Sequence, residues 1–130
     1  MSQKWAYRRS QMPIGNRRWS FNPLVVSGAP EEPGVYALLE GDEIVYYGCA
    51  VQGSTIRSAL YEILGRVGAG HGGCLQGVDR YTWEINYRPR LREAELLREY
   101  ERANEHPPRC NQPRAAVSGA LAVVERRRDS

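Results

Sequence analysis

Two neighbouring stretches of the chain alternate between apolar and polar positions, and a short acidic turn separates them. The residues on one face of the first stretch are Val35, Ala37 and Leu39. This alternation predicts a β-strand with Tyr36 on its opposite face. In the second stretch, Ile44 and Tyr46 are expected to share the face of Tyr36. Because Glu-Gly-Asp-Glu at residues 40–43 favours a turn, the two stretches predict an antiparallel hairpin with a tyrosine on each strand.

The segment after the hairpin has the three- and four-residue apolar spacing of a helix. Ser54 and Thr55 are both favoured N-cap residues, and the predicted helix ends near Arg66. Its predicted buried stripe consists of Ile56, Leu60, Ile63, Leu64 and Val67. The following residues, 68–77, are rich in glycine and predict a loop.

A third strand and a second helix follow this loop. Residues 81–87 alternate with aromatic side chains on one face and predict a strand that pairs with the hairpin. From about Pro89 the chain is rich in strong helix formers, and Pro107-Pro108 ends the predicted helix. Nearer the N-terminus, Pro23 limits any strand within residues 21–26 to an edge position.

Together these elements predict an α+β fold, a small three-stranded antiparallel sheet flanked by helices. A length of 130 residues suits one hydrophobic core. Residues 1–33 are predicted to form an irregular basic arm and a loop, residues 34–113 the domain, and residues 114–130 a C-terminal extension. Within the extension, residues 117–124 fit a short strand or a helix equally well.

The net charge of +3, from 18 basic and 15 acidic residues, does not by itself identify a partner. The arm, however, interleaves basic and aromatic residues, a mixture that suits phosphate pairing and base stacking. Its candidate nucleic-acid-binding residues are Lys4, Arg8, Arg9, Arg17 and Arg18. A solvated tail is the alternative for this segment.

The chain has no run of about 20 apolar residues and no secretory signal pattern, so we expect a cytoplasmic protein without a membrane partner. Its three cysteines, Cys49, Cys74 and Cys110, are expected to be free thiols in a reducing compartment. A zinc site that adds His71 to these cysteines is less favoured, because zinc clusters usually contain two close ligand pairs.

Gly34-Val35-Tyr36 and Tyr46-Tyr47-Gly48 resemble the two motifs that define the GIY-YIG nuclease family. The resemblance covers about residues 34–111, in the order hairpin, helix, strand, helix and a proline-rich loop that ends in asparagine. It implies a GIY-YIG-like nuclease domain that cuts DNA phosphodiester bonds with Mg²⁺ or Mn²⁺. It also implies that Tyr36 activates the attacking water and that Tyr46 helps to position the water and the phosphate.

Two more residues match elements of this family. Glu93 opens a Glu-x-x-Leu-Leu segment that looks like the family's metal-binding Glu-x-x-Leu-Ile, which makes it the candidate metal ligand. Glu95 lies on a different helix face and is its competitor. Asn111 matches the family's final asparagine, which implies that it braces the site by hydrogen bonding.

The position of the family's catalytic arginine has two possible alignments. Counting from the second motif with one inserted loop residue gives Arg57, with Tyr61 at the His/Tyr position four residues later. Alignment by the apolar stripe gives Ala59 and Ile63 instead, and helix burial favours this register. Positions 57 and 59 are about 200° apart around a helix, so both cannot face one site. Arg66 could also reach back, although nothing in the sequence shows it.

The resemblance therefore supports a metal-dependent DNA endonuclease, and double-strand cutting would suggest a homodimer. The alternative is a catalytically impaired nucleic-acid-binding domain on the same fold, with Ala59 at the arginine position. A third hypothesis is a small α/β domain whose tyrosines only pack the core. An arginine that points into the site would separate the first two hypotheses.

Overall fold

The structure of this chain, a computed structural model, describes Ile14 and residues 17–112. These residues form a small α+β domain with a four-stranded antiparallel sheet and three α-helices. The strands are β1 (Trp19–Ser20), β2 (Gly34–Glu40), β3 (Glu43–Ala50) and β4 (Arg80–Ile85). The helices are α1 (Pro23–Val26), α2 (Ile56–Gly68) and α3 (Pro89–Asn104), and two 3₁₀ turns span Gly73–Leu75 and Arg109–Asn111. The predicted element at residues 117–124 lies outside the described residues.

The sheet has the strand order β1-β4-β2-β3, so the prediction of three strands was wrong by one short edge strand. Residues 21–26, where any strand was expected only at an edge position, contain instead the short helix α1. Its N-cap is Asn22, whose side-chain oxygen accepts a hydrogen bond of 2.9 Å from the Val25 N–H. Proline fits the first turn of a helix, where its missing N–H would have no partner.

A β-bulge in the hairpin changes the predicted faces of β3. Leu38 pairs with Tyr46 and Leu39 pairs with Ile44, so Val45 is an extra residue on β3. A bulge of one residue reverses the alternation beyond it. As a result Ile44 packs on the sheet face opposite Tyr36, contrary to the predicted alternation, whereas Tyr46 stays on the face of Tyr36.

The sheet buries a separate apolar cluster on each face. On one face, Tyr36 and Leu38 pack with the apolar stripe of α2, whose residues Ile56, Leu60 and Ile63 are buried as predicted. On the other face, Val35, Ala37, Tyr47, Leu96 and Ile14 form the second cluster. Each helix is therefore fixed in rotation by its own apolar side, and this rotation decides which of its polar residues face the hairpin.

The packed core extends to residues before Gly34. Phe21, Val26 and Ala29 are buried in the first cluster, and Ile14 is buried in the second. The backbone oxygen of Ile14 accepts a buried hydrogen bond of 2.7 Å from the Thr82 hydroxyl. Part of the predicted arm and loop thus belongs to the folded unit.

The cysteines differ from the expectation of free thiols. Cys74 and Cys110 form a disulfide across a sequence separation of 36 residues, and Cys49 is the free cysteine. The disulfide joins the Gly73–Leu75 turn to the Arg109–Asn111 turn. Two of the four suggested zinc ligands are therefore bonded to each other. Within Ile14 and residues 17–112, no three histidine, cysteine or acidic side chains are grouped as a metal site would require.

Within the same described part of the chain, no helix combines the length and the apolar character needed to cross a membrane.

Candidate functional site

Tyr36 on β2 and Tyr46 on β3 lie on the same face of the sheet. Their ring centroids are 6.4 Å apart and the ring planes are inclined by 43°. Tyr36 pairs across the hairpin with Gly48. A β-carbon at Gly48 would lie 2.5 Å from both Cζ and Oη of Tyr36, so only glycine leaves room for this phenol. The second motif therefore ends in glycine for a steric reason.

The first motif begins with a glycine for a similar reason. A β-carbon at Gly34 would lie 2.2 Å from the backbone oxygen of Glu84 on β4 and 2.8 Å from Ile56 Cδ1 on α2. Gly34 thus allows β2 to fit between β4 and the start of α2. The two motif glycines shape the surroundings of the tyrosines and carry no chemistry of their own.

Helix α3 brings an acidic side chain to this hairpin. The Cys49 thiol on β3 donates a hydrogen bond to a carboxylate oxygen of Glu93, with a sulfur–oxygen distance of 3.5 Å. Glu93 is partly exposed and forms no salt bridge with another described residue. Its carboxylate therefore remains able to bind a cation.

The competing carboxylate, Glu95, has a different partner. Arg92 bonds to Glu95 at 2.7 Å and to Glu84 at 3.2 Å, and its side chain is only 13% exposed. This ion-pair network ties α3 to β4. Glu95 thus has a structural partner, whereas Glu93 points towards the hairpin.

The electrostatic surroundings of the two tyrosines connect them to Glu93. Burial is the largest cause that raises the pKa of Tyr36, followed by the charges of Tyr46, Cys49 and Glu93, and Arg66 opposes the rise. Burial also raises the pKa of Tyr46, followed by Glu93 and Cys49, again with Arg66 opposing. We call these five residues the tyrosine site.

The same causes act on the thiol of the tyrosine site. Burial, followed by the charge of Glu93, raises the pKa of Cys49 to about 11. The thiol and both phenols are therefore neutral near pH 7 in the metal-free protein. In this state they act as hydrogen-bond donors rather than as bases.

The alignment that placed Arg57 and Tyr61 in the site does not agree with the structure. Arg57 donates to the backbone oxygen of Ala29 at 2.8 Å and pairs with Glu31 at 2.8 Å. The Tyr61 hydroxyl donates to the backbone oxygen of Pro23 at 3.3 Å. Because the apolar stripe of α2 sets its rotation, both side chains hold the segment before β2 and not the tyrosine pair.

The second alignment agrees with the rotation of α2. Ala59 packs against the apolar cluster that contains Tyr36, and Ile63 is buried in that cluster. Ala59 therefore lies on the side of α2 that packs against the sheet face carrying Tyr36.

Arg66 supplies a guanidinium to this side of α2. It lies in the last turn of the helix, it is exposed, and its charge acts on both tyrosines. Positions 59, 63 and 66 share one face of a helix because residues three and four apart are neighbours. The sequence alone did not identify Arg66, because this spacing is informative only once the register of the helix is known.

Asn111 bonds to the outer edge of the sheet. Its side-chain oxygen accepts a hydrogen bond of 2.8 Å from the Tyr47 N–H, and its side-chain nitrogen donates to the Tyr47 oxygen at 3.0 Å. Because β3 is an edge strand, this amide satisfies backbone groups that a neighbouring strand would otherwise bind. Asn111 thereby fixes the backbone next to Tyr46.

The segment that carries Asn111 has two further anchors. Arg109 pairs with Glu40 at 2.8 Å, at the end of β2. Cys110 is bonded to Cys74 in the disulfide. The position of the Asn111 amide therefore depends on the tertiary contacts of its neighbours.

Of the five basic residues predicted to bind nucleic acid, the structure describes two, Arg17 and Arg18, and both have partners away from the tyrosine site. The Arg17 guanidinium stacks over the Trp19 ring at 4.5 Å, and Arg18 lies 3.9 Å from Asp42. Neither arginine is among the charges that act on Tyr36 or Tyr46. The remaining predicted residues, Lys4, Arg8 and Arg9, lie outside the described residues.

Comparison with protein-family models, with curated proteins and with solved structures finds no match for this chain. A functional assignment consequently depends on the residues and the geometry of the tyrosine site.

Proposed function

We propose that this protein is a metal-dependent endonuclease that hydrolyses DNA phosphodiester bonds at the tyrosine site. The observation that carries the proposal is the grouping, beside one hairpin, of a buried and a partly buried phenol with a carboxylate that has no salt bridge to a described residue and with a guanidinium whose charge acts on both phenols. These residues come from the β2–β3 hairpin, α2 and α3, which are three separate segments of the sequence. Their order and types also resemble those of the GIY-YIG nucleases.

Glu93 is the residue that would hold the metal ion. Mg²⁺ prefers oxygen ligands and usually keeps several waters, so it binds through one or two carboxylates together with substrate phosphates. A single carboxylate without an ion pair fits this requirement, and Mn²⁺ accepts the same oxygen ligands. A bound ion would lower the pKa of nearby water and phenol groups and offset charge on the phosphoryl oxygens.

The two phenols have complementary roles in this proposal. Tyr36 Oη aligns the attacking water and takes its proton as general base in the phenolate form. In the metal-free protein burial opposes that form, because it raises the pKa of Tyr36. Tyr46 lies beside it and donates its hydroxyl hydrogen bond to a non-bridging oxygen of the phosphate.

Arg66 is the group that stabilises the charge developing on the phosphoryl oxygens. A guanidinium forms bidentate hydrogen bonds with a phosphate, and it keeps its charge at every working pH. Removal of one such donor from a preorganised site typically costs about 10²–10³ in rate. Asn111 acts indirectly, because it holds the Tyr47 backbone and with it the position of Tyr46.

Nicking of supercoiled plasmid tests the proposal. The wild-type protein is expected to convert the supercoiled form to open circles in Mg²⁺ or Mn²⁺ and to leave it intact in EDTA. The Tyr36→Phe and Arg66→Ala variants are expected to lose at least about 10²-fold in rate. Arg57→Ala is the matched control, because Arg57 binds the loop before β2 and should keep its nicking rate. Absence of nicking by folded wild-type protein would reject the proposal.

The presence of Ala59 favours a second candidate function, a nucleic-acid-binding domain without cleavage. In that case Arg66 lies too far from the phosphate for transition-state stabilisation. The wild-type protein would then shift DNA mobility in a salt-sensitive manner without cutting it. Restoration of nicking by Ala59→Arg would identify position 59 as the missing catalytic arginine.

A further inference from the structure

The segment of residues 87–91, between β4 and the body of α3, has an unusual combination of exposed side chains. Tyr87 is 62% exposed and Leu91 is 51% exposed, although both are large and partly apolar. Arg88 and Arg90 are also exposed. Two arginines, one tyrosine and one leucine are thus exposed within five consecutive positions, and basic side chains close to an exposed aromatic ring are typical of nucleic-acid contacts.

Arginine residues at alternate positions in this region have different structural roles. Arg92 is largely buried and is bound by Glu84 and Glu95, so it maintains the fold. Arg88 and Arg90, in contrast, form no salt bridge with any residue in the described part of the chain. Neither guanidinium is therefore in direct contact with a carboxylate of the described residues.

This unpaired charge lies next to the tyrosine site. Arg90 precedes Glu93 by three residues on α3, so the two side chains are neighbours on the helix surface. Glu93 in turn accepts the hydrogen bond of the Cys49 thiol on β3. Arg90 therefore lies next to the side of α3 that contacts the hairpin.

We propose that Arg88 and Arg90 bind the DNA phosphates adjacent to the one that is cleaved. This inference rests on the proposed function and specifies where the DNA strand continues beyond the site. The guanidinium groups neutralise backbone phosphates and position the strand, and they take no part in bond cleavage. The contact is made to the sugar–phosphate backbone and not to the bases, because the two exposed guanidinium groups supply positive charge without a fixed pattern of donors and acceptors that could read base edges.

Fluorescence anisotropy of a short fluorescein-labelled DNA duplex in EDTA measures this contact without cleavage. The logarithm of the association constant falls linearly with the logarithm of the salt concentration, and each lost phosphate contact is expected to make this slope less steep by about 0.9. At 0.1 M salt this change corresponds to about eightfold weaker binding. Arg88→Ala and Arg90→Ala should each show this change, and the double variant should show about twice the change in slope. Arg98→Ala removes the same charge from an exposed position two turns further along α3 and should leave the slope unchanged.

Nicking by the same proteins separates this inference from the proposed function. Arg90→Ala is expected to raise KM for plasmid and to keep kcat, since positioning affects ground-state and transition-state binding alike. Suppose that the wild-type protein binds and nicks DNA, and that Arg88→Ala, Arg90→Ala and Arg98→Ala all keep the salt slope of the wild type. The assignment of Arg88 and Arg90 is then overturned and the nuclease assignment stands. If the wild-type protein neither binds nor nicks DNA, both are overturned.

Discussion

Removal of the disulfide between Cys74 and Cys110 should lower the stability of the domain by an amount that follows from its loop length. The bond closes a loop across 36 residues, and it links the glycine-rich segment to the segment that carries Asn111. In the chain-entropy description a loop of this length restricts the unfolded chain by about 13 cal/mol/K, which is about 3.8 kcal/mol at 25 °C. With a urea m-value of about 1–3 kcal/mol/M, the unfolding midpoint should fall by roughly 1–4 M.

Urea denaturation of oxidised protein, followed by circular dichroism, measures this effect. Cys74→Ser should unfold at the lower midpoint, and dithiothreitol should shift the wild-type protein to nearly the same value. Cys49→Ser is the matched control, because it removes a thiol without removing a cross-link. Equal midpoints for Cys74→Ser and Cys49→Ser, with no effect of dithiothreitol on the wild type, would refute the loop-closure reasoning.

Three further predictions concern the hairpin and its edge. Gly48→Ala should destabilise the protein by about 1–3 kcal/mol, because its methyl group would overlap Tyr36. Gly65→Ala, in open space on α2, should stabilise the protein by about 0.5–1 kcal/mol. Equal unfolding midpoints for the two variants would contradict this prediction. Asn111→Ala should cost about 1–3 kcal/mol in unfolding free energy, because two backbone groups of Tyr47 lose their partners, and a wild-type midpoint would argue against the brace. Burial raises the pKa of Tyr47 to about 12, so the folded state keeps a proton that the unfolded chain releases near pH 10. Unfolding free energy should therefore fall as pH rises from about 10 to about 12, and an unchanged slope in Tyr47→Phe would exclude Tyr47 as the cause.

The local elements could be predicted because their signals lie within short segments. Alternation predicted the hairpin and β4, and the cap and apolar stripe predicted α2, whose N-cap is Thr55. The bulge at Val45 could not be predicted, since an extra residue leaves no mark when both neighbours are apolar. The short helix α1 was missed because a single proline fits both an edge strand and a helix N-terminus.

Only some residues of the candidate site could be predicted from the sequence, namely those whose positions do not depend on the rotation of a helix or on contacts with distant segments. Tyr36 and Tyr46 follow from strand alternation, and Glu93 follows from the resemblance to a family motif. The position of Arg57 does depend on helix rotation, because the burial of Ile56 and Leu60 turns Arg57 towards the segment before β2.

The disulfide and the hydrogen bonds of Asn111 depend on tertiary packing. Cys74 and Cys110 are 36 positions apart, and spacing alone does not identify a bonded pair. The Asn111 amide meets Tyr47 across a separation of 64 residues. Such contacts appear only when the proline-rich loop returns to the edge of β3.

The proposed function requires Glu93 to hold a catalytic metal ion beside the tyrosines, and the most direct test is the metal dependence of plasmid nicking by Glu93→Gln. Glutamine keeps the size of the side chain and removes its charge. Glu101→Gln is the matched control, because Glu101 is exposed further along α3. The account predicts that Glu93→Gln loses nicking at all Mg²⁺ concentrations tested while Glu101→Gln nicks like the wild-type protein. Equal nicking rates for Glu93→Gln and the wild type, each still dependent on Mg²⁺, would contradict the account.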